Sequence, residues 1–242
     1  MTADEGGDRV ADRRVAPREE HLVVGRTARY ATLGEPSPAL REVWFVCHGY
    51  GQLAARFIRH FTPLADATRL IVAPEALSRF YLTSAPDAHA EAAVGATWMT
   101  REDRLAEIDD YVAYLDALHR RIFSTIERDP VRVCVLGFSQ VTATASRWVA
   151  RGEVRADHLV LWGGGLPSDF DLGRARPVLA RLRLSLVVGD RDELARPAQV
   201  AEQEDRLARH GIAHHRYSFA GGHRLDDGVL ARLAAENTMR DE

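Results

Sequence analysis

A serine, a cluster of acids and a histidine lie in this chain in the order Ser139, Asp190 or Asp192, His223. Those residue types can together perform nucleophilic acyl transfer: a hydroxyl that attacks, an imidazole that takes its proton, and a carboxylate that orients the imidazole. The strongest local signal surrounds Ser139. The run Arg132-Val133-Cys134-Val135-Leu136-Gly137-Phe138-Ser139-Gln140 is apolar, stops at a glycine and delivers a serine, and Thr142 to Ala150 reads as a helix. A strand that turns sharply into a helix holds a serine hydroxyl exposed at the edge of a sheet. Four of the five positions of the G-x-S-x-G turn are present, and the fifth is Val141. Read alone, the same segment is equally an ordinary strand–helix turn with Ser139 as helix N-cap.

Two further segments bear on that choice. Val43-Trp44-Phe45-Val46-Cys47 is a buried-strand pattern ending in His48-Gly49-Tyr50-Gly51-Gln52. A glycine-rich turn at this place can aim a backbone N–H at a developing oxyanion, with a second N–H from the residue after the nucleophile. The expected donors are Tyr50 and Gln140, while the His48 side chain reads as a structural histidine holding the loop. Downstream, Leu184 to Gly189 is another apolar run, followed by Asp190-Arg191-Asp192-Glu193. His214 to Phe219 is a further strand pattern, followed by Ala220-Gly221-Gly222-His223. Serine, acid and histidine therefore each follow a strand-like run.

The elements between them read as a regular alternation. Strands are expected at Glu42–Cys47, Arg69–Pro74, Arg132 onward, His158–Trp162, Leu184–Gly189 and His214–Phe219, and a strand pair or one long bent strand at 21–33. Helices are expected at Leu53–Leu64, at Thr142–Ala150, at Pro197–His210 and at Leu225–Ala235. A longer helix opens at Thr100, capped by Thr100 with Asp103 as the capping-box acid. Its apolar stripe is Leu105, Ile108, Val112, Leu115, Leu118, Ile122 and Ile126, and Asp129-Pro130 ends it. Unbroken apolar strands alternating with helices imply a mostly parallel sheet covered on both faces. In such sheets ligands sit at the carboxyl ends of the strands, where every candidate above falls. The stretch 76–99 has no clean period and mixes Phe80, Tyr81 and Trp98 with small residues; it reads as a long loop near that edge, with Tyr81 and Trp98 as substrate-binding candidates.

Composition narrows the classes. The chain has 242 residues, a hydrophobic content of 46% and a net charge of −3, and no basic footprint for nucleic acid. All 32 basic residues other than histidine are arginines. The two cysteines, Cys47 and Cys134, fall inside predicted strands and read as buried free thiols rather than a disulfide. No stretch approaches a membrane span. Residues 1–20 are charged, lack the apolar core of a signal peptide and read as a disordered tail, leaving 21–242 as one domain in a cytoplasmic protein. The histidines form no ligand cluster, so no metal is expected. The oligomeric state, monomer or homodimer, stays open.

With these residues in hand, the chain resembles the phospholipase/carboxylesterase branch of the α/β-hydrolases, which includes acyl-protein thioesterases. The resemblance lies in His48-Gly49-Tyr50-Gly51, Gly137-Phe138-Ser139-Gln140, Gly189-Asp190-Arg191-Asp192 and Gly222-His223. The Trp98–Ile108 segment and Gly164-Gly165-Leu166-Pro167 also look like this family. It implies an α/β-hydrolase fold with a minimal lid and a cofactor-free serine esterase acting on acyl esters, thioesters or lysophospholipids. It also implies that Asp192, three residues past the strand-ending glycine, rather than Asp190, is the triad acid. Val141 is the departure, a β-branched residue where the pattern has glycine. The rival readings are a non-catalytic or weakly active binding protein of the same fold, or a dienelactone-hydrolase-like or peptidase activity.

Overall fold

The computed structural model describes residues 17–83 and 92–238. Its strands are β1 (Tyr30–Leu33), β2 (Glu42–Cys47), β3 (Arg69–Pro74), β4 (Ser78–Tyr81), β5 (Val94–Thr97), β6 (Arg132–Phe138), β7 (His158–Trp162), β8 (Arg183–Gly189) and β9 (His215–Phe219). Its helices are α1 (Ala54–Phe57), α2 (Arg104–Ile122), α3 (Thr142–Arg151), α4 (Leu172–Leu179), α5 (Pro197–Arg209) and α6 (Asp227–Thr238). Seven strands form one sheet in the order β1-β3-β2-β6-β7-β8-β9. Only β1 runs antiparallel to its neighbour; the other pairings are parallel.

Beyond a polar first residue, and Ser185 in β8, the inner strands are apolar because both of their faces are covered. One face carries α2, α3, α4 and α5, packed through Phe45, Val135, Leu159, Leu161 and Trp148 among others. The opposite face carries α1, a 3-10 segment (Ile58–Leu64) and α6, packed through Trp44, Leu136, Val160 and Trp162. Cys47 and Cys134 are buried and unpaired in disulfides, and burial pushes the Cys47 thiol up to about 12. No helix among the described residues is long and apolar enough to cross a membrane.

Several expected elements differ. Of the stretch 21–33, only Tyr30–Leu33 pairs; residues 21–29 have no strand partner to bury their apolar side chains against. Pro63 and the chain's turn towards β3 reduce the expected Leu53–Leu64 helix to four α-helical residues followed by 3-10 turns. Thr100 is not the cap of α2. Asp103 occupies that position at φ 45°, with no side-chain cap, and the Thr100 N–H donates instead to the Glu107 carboxylate. The helix stops at Ile122, short of Ile126, and Leu105 at its start is 69% exposed. The stretch 76–99 holds the antiparallel hairpin strands β4 and β5; its residues 84–91 lie outside the described residues, as does most of the N-terminal tail. Helix α4 was not anticipated. Gly173 and Pro177 depress its propensity, but Asp171 caps it by accepting from the Arg174 N–H at 2.9 Å.

Candidate active site

Between β6 and α3 the chain makes a single 3-10 turn, Ser139–Val141. Ser139 sits at φ 63°, a region that costs a non-glycine residue about 1–3 kcal/mol and persists where surroundings over-determine it. The surroundings here are specific. A Cβ at Gly137 would lie 2.6 Å from the Val141 carbonyl oxygen and 2.9 Å from Ala145 Cβ, so glycine lets α3 begin against the strand end. The Thr142 hydroxyl lies 3.0 Å from the Ser139 carbonyl and 2.9 Å from that of Gly165, which ties the turn to the loop after β7.

His223 arrives from the loop after β9. That loop is clasped to the one after β8: the Gly221 N–H donates to Asp190 Oδ1 at 2.9 Å and the Arg191 N–H to the Gly221 carbonyl at 2.9 Å. The Trp162 indole holds its far side by donating to the Arg224 carbonyl at 2.9 Å. The Phe138 ring lies against the imidazole, with centroids 5.0 Å apart. Beneath it is Gly163, at φ 64°, where a Cβ would stand 2.9 Å from His223 Cε1 and 3.4 Å from Asp192 Oδ2. Glycine there leaves the space that the imidazole and carboxylate occupy.

The three side chains meet. His223 Nε2 is 2.7 Å from Ser139 Oγ, and Nδ1 is 2.8 Å from Asp192 Oδ2. A carboxylate accepts only, so Nδ1 carries the proton and Nε2 accepts from the serine hydroxyl. The other Asp192 oxygen accepts from the N–H groups of Leu194 at 2.9 Å and Ala195 at 3.0 Å. The Asp192 side chain is 2% exposed, whereas that of Asp190 is 58% exposed and faces Gly221 and Arg191 instead of the imidazole.

Tyr50 and Gln140 flank this group. The ladder between β2 and β6 ends at Cys47 opposite Gly137, so the two chains leave the sheet side by side. The turn after β2 is fixed by Gly51 N–H to the Ala96 carbonyl at 3.0 Å and by Gly49 N–H to Gln52 Oε1 at 2.8 Å. Among the described residues neither the Tyr50 N–H nor the Gln140 N–H is taken by a protein acceptor. The Gln140 N–H lies in the opening turn of the 3-10/α3 segment, where backbone donors are left free and the helix dipole favours negative charge.

His48 is wholly buried and neutral in character: Nδ1 donates to the Gly49 carbonyl at 2.9 Å, Nε2 accepts from the Ala76 N–H at 3.1 Å, and burial lowers its pKa. Trp98 is buried beside it, its indole donating to the His48 carbonyl at 3.0 Å, and it walls a small hollow with Tyr50, Gln140 and Val141. Tyr81 is not brought to that hollow. It is 50% exposed, and the alternation of β4 turns its neighbour Phe80 inward onto the Tyr50 ring, centroids 5.2 Å apart. Val141 is 2% exposed and joins the core under α3. Reading the sequence missed Gly163, Thr142 and Phe80. The run of three glycines directly after β7 was the available signal for the first. Among the described residues, no group of three or more His, Cys, Asp or Glu side chains is arranged to hold a metal ion.

No protein-family model matches the chain, and neither does any curated protein sequence. Solved structures do match. Acyl-protein thioesterase 2 of Zea mays superposes with a TM-score of 0.66 at 19% identity, over 88% of this chain and 98% of that one. Esterase PE8 gives 0.66 at 20% identity, over 88% and 99%. A carboxylesterase from Mesorhizobium loti gives 0.60 at 20% identity, over 88% and 95%. The chain has the α/β-hydrolase fold.

Proposed function

We propose that this chain is a serine hydrolase of the phospholipase/carboxylesterase kind that cleaves carboxylic esters through an acyl-enzyme. The observation that carries the proposal is the union of a strained Ser139 at φ 63° with an imidazole 2.7 Å from its hydroxyl and a buried carboxylate 2.8 Å behind that imidazole. A histidine so held abstracts the hydroxyl proton as Oγ attacks the ester carbonyl. The tetrahedral oxyanion is received by the N–H groups of Tyr50 and Gln140, each worth about 3 kcal/mol in the transition state. His223 then returns its proton to the departing alcohol oxygen, leaving Ser139 acylated. Water, activated by the same imidazole, attacks the acyl-enzyme and releases the acid. Asp192 fixes the tautomer and stabilises the imidazolium. The same steps apply to thioesters and lysophospholipids. The thioesterase and esterase names of the structural neighbours are consistent with this reading.

The test is labelling of the purified protein with a fluorophosphonate, together with hydrolysis of p-nitrophenyl acetate. The wild type is expected to label at Ser139 and to turn over. Ser139→Ala is expected to lose both, with a rate loss of about four to six orders of magnitude and an unchanged circular-dichroism spectrum. An unlabelled wild type, or a Ser139→Ala protein as active as wild type, defeats the proposal.

A further inference from the structure

Glu75, the residue directly after β3, carries a carboxylate that is 0% exposed and takes no part in the steps above. Burying a charge is costly unless it is paired and hydrogen-bonded, and this one is met from three directions. Oε1 accepts from Arg29 Nε, in the segment before β1, and from Arg79 Nη1 of β4 at 3.1 Å. Oε2 accepts from the Ala54 N–H, which opens α1, at 3.3 Å. Burial acts to raise the pKa of this carboxyl group; the guanidiniums of Arg29 and Arg79 outweigh it and hold the pKa below its usual value.

These contacts enclose the loop that carries Tyr50. Glu75 and Ala76 grip its two ends: the Ala76 N–H donates to His48 Nε2 at 3.1 Å, and the Ala54 N–H donates to Glu75. The middle of the loop is held by the hairpin. The Gly51 N–H donates to the Ala96 carbonyl at 3.0 Å, and the Ala96 N–H donates to the Gln52 carbonyl at 3.1 Å. In the ladder between β4 and β5, the residue opposite Ala96 is Arg79. The Glu75–Arg79 pair therefore fixes the rung of the hairpin to which the loop is bonded, and Phe80, next along β4, lies against the Tyr50 ring. We propose that Glu75 is a positioning residue for the oxyanion donor of Tyr50. It touches no reacting atom; it aims the Tyr50 N–H by holding the loop's end at Ala54 and, through Arg79, its middle at Ala96. The proposal rests on the serine-hydrolase reading above and adds a residue to the machinery of the same site.

Glu75→Gln keeps an oxygen for the Ala54 N–H and takes the charge away from Arg29 and Arg79. Those two side chains are 56% and 40% exposed, so water replaces the lost partner and the variant is expected to fold. The probe is an alkyl trifluoromethyl ketone. Ser139 Oγ bonds to its carbonyl carbon, the hydroxyl proton passes to His223, and the carbonyl oxygen becomes an oxyanion. The matching methyl ketone stays a planar carbonyl and serves as the control. In Glu75→Gln, kcat/KM for p-nitrophenyl acetate is expected to fall about tenfold, the scale of a donor displaced by a fraction of an ångström. The Ki of the trifluoromethyl ketone is expected to rise by about the same factor, and that of the methyl ketone to stay constant. Arg79→Gln leaves the carboxylate with Arg29 and is expected to shift the same two quantities by a smaller factor; it carries the test if Glu75→Gln does not fold. A merely structural role lowers the amount of active enzyme, counted by fluorophosphonate titration, and leaves Ki as it was. An unchanged Ki for the trifluoromethyl ketone in the folded variants overturns the proposal, as do equal losses for both ketones. Failure of the serine-hydrolase reading is distinct: the wild type itself then neither labels with fluorophosphonate nor hydrolyses the ester.

Discussion

The two ends of the sheet each hold a serine hydrogen-bonded to a histidine, and only one is built to react. At the carboxyl end, Ser139 meets His223, which is backed by Asp192. Near the amino end, Ser185 Oγ lies 2.8 Å from His158 Nε2, and His158 Nδ1 lies 2.7 Å from Asn237 Oδ1. The distances are alike and the surroundings are not. Ser139 is partly exposed at a strained turn beside free backbone donors. Ser185 is wholly buried in the middle of β8, where no substrate can reach it and no turn lifts its hydroxyl. Asn237 is neutral, so it can orient an imidazole but cannot stabilise an imidazolium. The amino-end group ties α6 to β7 and β8 through satisfied buried hydrogen bonds, which is a structural task. A serine–histidine distance alone therefore identifies nothing; strain, exposure and a charged third partner separate the two.

The largest effect that can test this contrast is at the third partner. Asp192→Asn keeps an oxygen for the N–H groups of Leu194 and Ala195. It also presents an amide to Nδ1, favouring the wrong tautomer, and removes the charge. A loss of about 10⁴ in kcat is expected. Asp190→Asn retains an oxygen for the Gly221 N–H and touches no reacting group, so its loss is expected to be far smaller. Steady-state kinetics of both variants on p-nitrophenyl acetate decide the matter, and equal losses would mean that the imidazole is held by more than Asp192.

What could be read in the sequence follows from how local each feature is. The turn at Ser139 is legible because strand, glycine, serine and helix are contiguous, and the order of the acid and histidine is legible because each follows an apolar run. The choice between Asp190 and Asp192 was not legible from spacing alone; family resemblance pointed to one, and the geometry shows which carboxylate faces the imidazole. Gly163 could not be singled out, since its necessity comes from an imidazole delivered by residues sixty positions downstream. Helix α4 was hidden because capping by Asp171 and burial of Leu172 and Leu179 outweigh the poor propensities of Gly173 and Pro177. The hairpin of β4 and β5 was hidden because its alternation is only four residues long on each strand. His158, Ser185 and Asn237 gave no signal, being spread over three elements that meet only in the fold.

A second prediction sharpens the contrast from the amino end. Ser185→Ala leaves the buried His158 Nε2 without the Ser185 hydroxyl, at a cost of about 1–3 kcal/mol. Thermal unfolding is expected to shift down by several degrees while kcat/KM for p-nitrophenyl acetate is unchanged. A large loss of activity at constant stability would show that the amino-end group communicates with the site, and the division drawn here between the two ends would fail.

The smallest expected effect concerns the hairpin that borders the carboxyl end, where two aromatic side chains with similar prospects in the sequence have different places in the structure. Trp98 is buried, bonded to the His48 carbonyl and exposed to the hollow beside Val141. Tyr81 is half exposed on the outer side of β4, and Phe80 takes the inward place against Tyr50. Half of Tyr81 is buried, so alanine there is expected to lower stability by about 1 kcal/mol. The relative rates on acetate, butyrate and octanoate esters are expected to stay as in wild type. A marked change in chain-length preference for Tyr81→Ala would mean that the hairpin folds over the bound substrate and carries Tyr81 onto it.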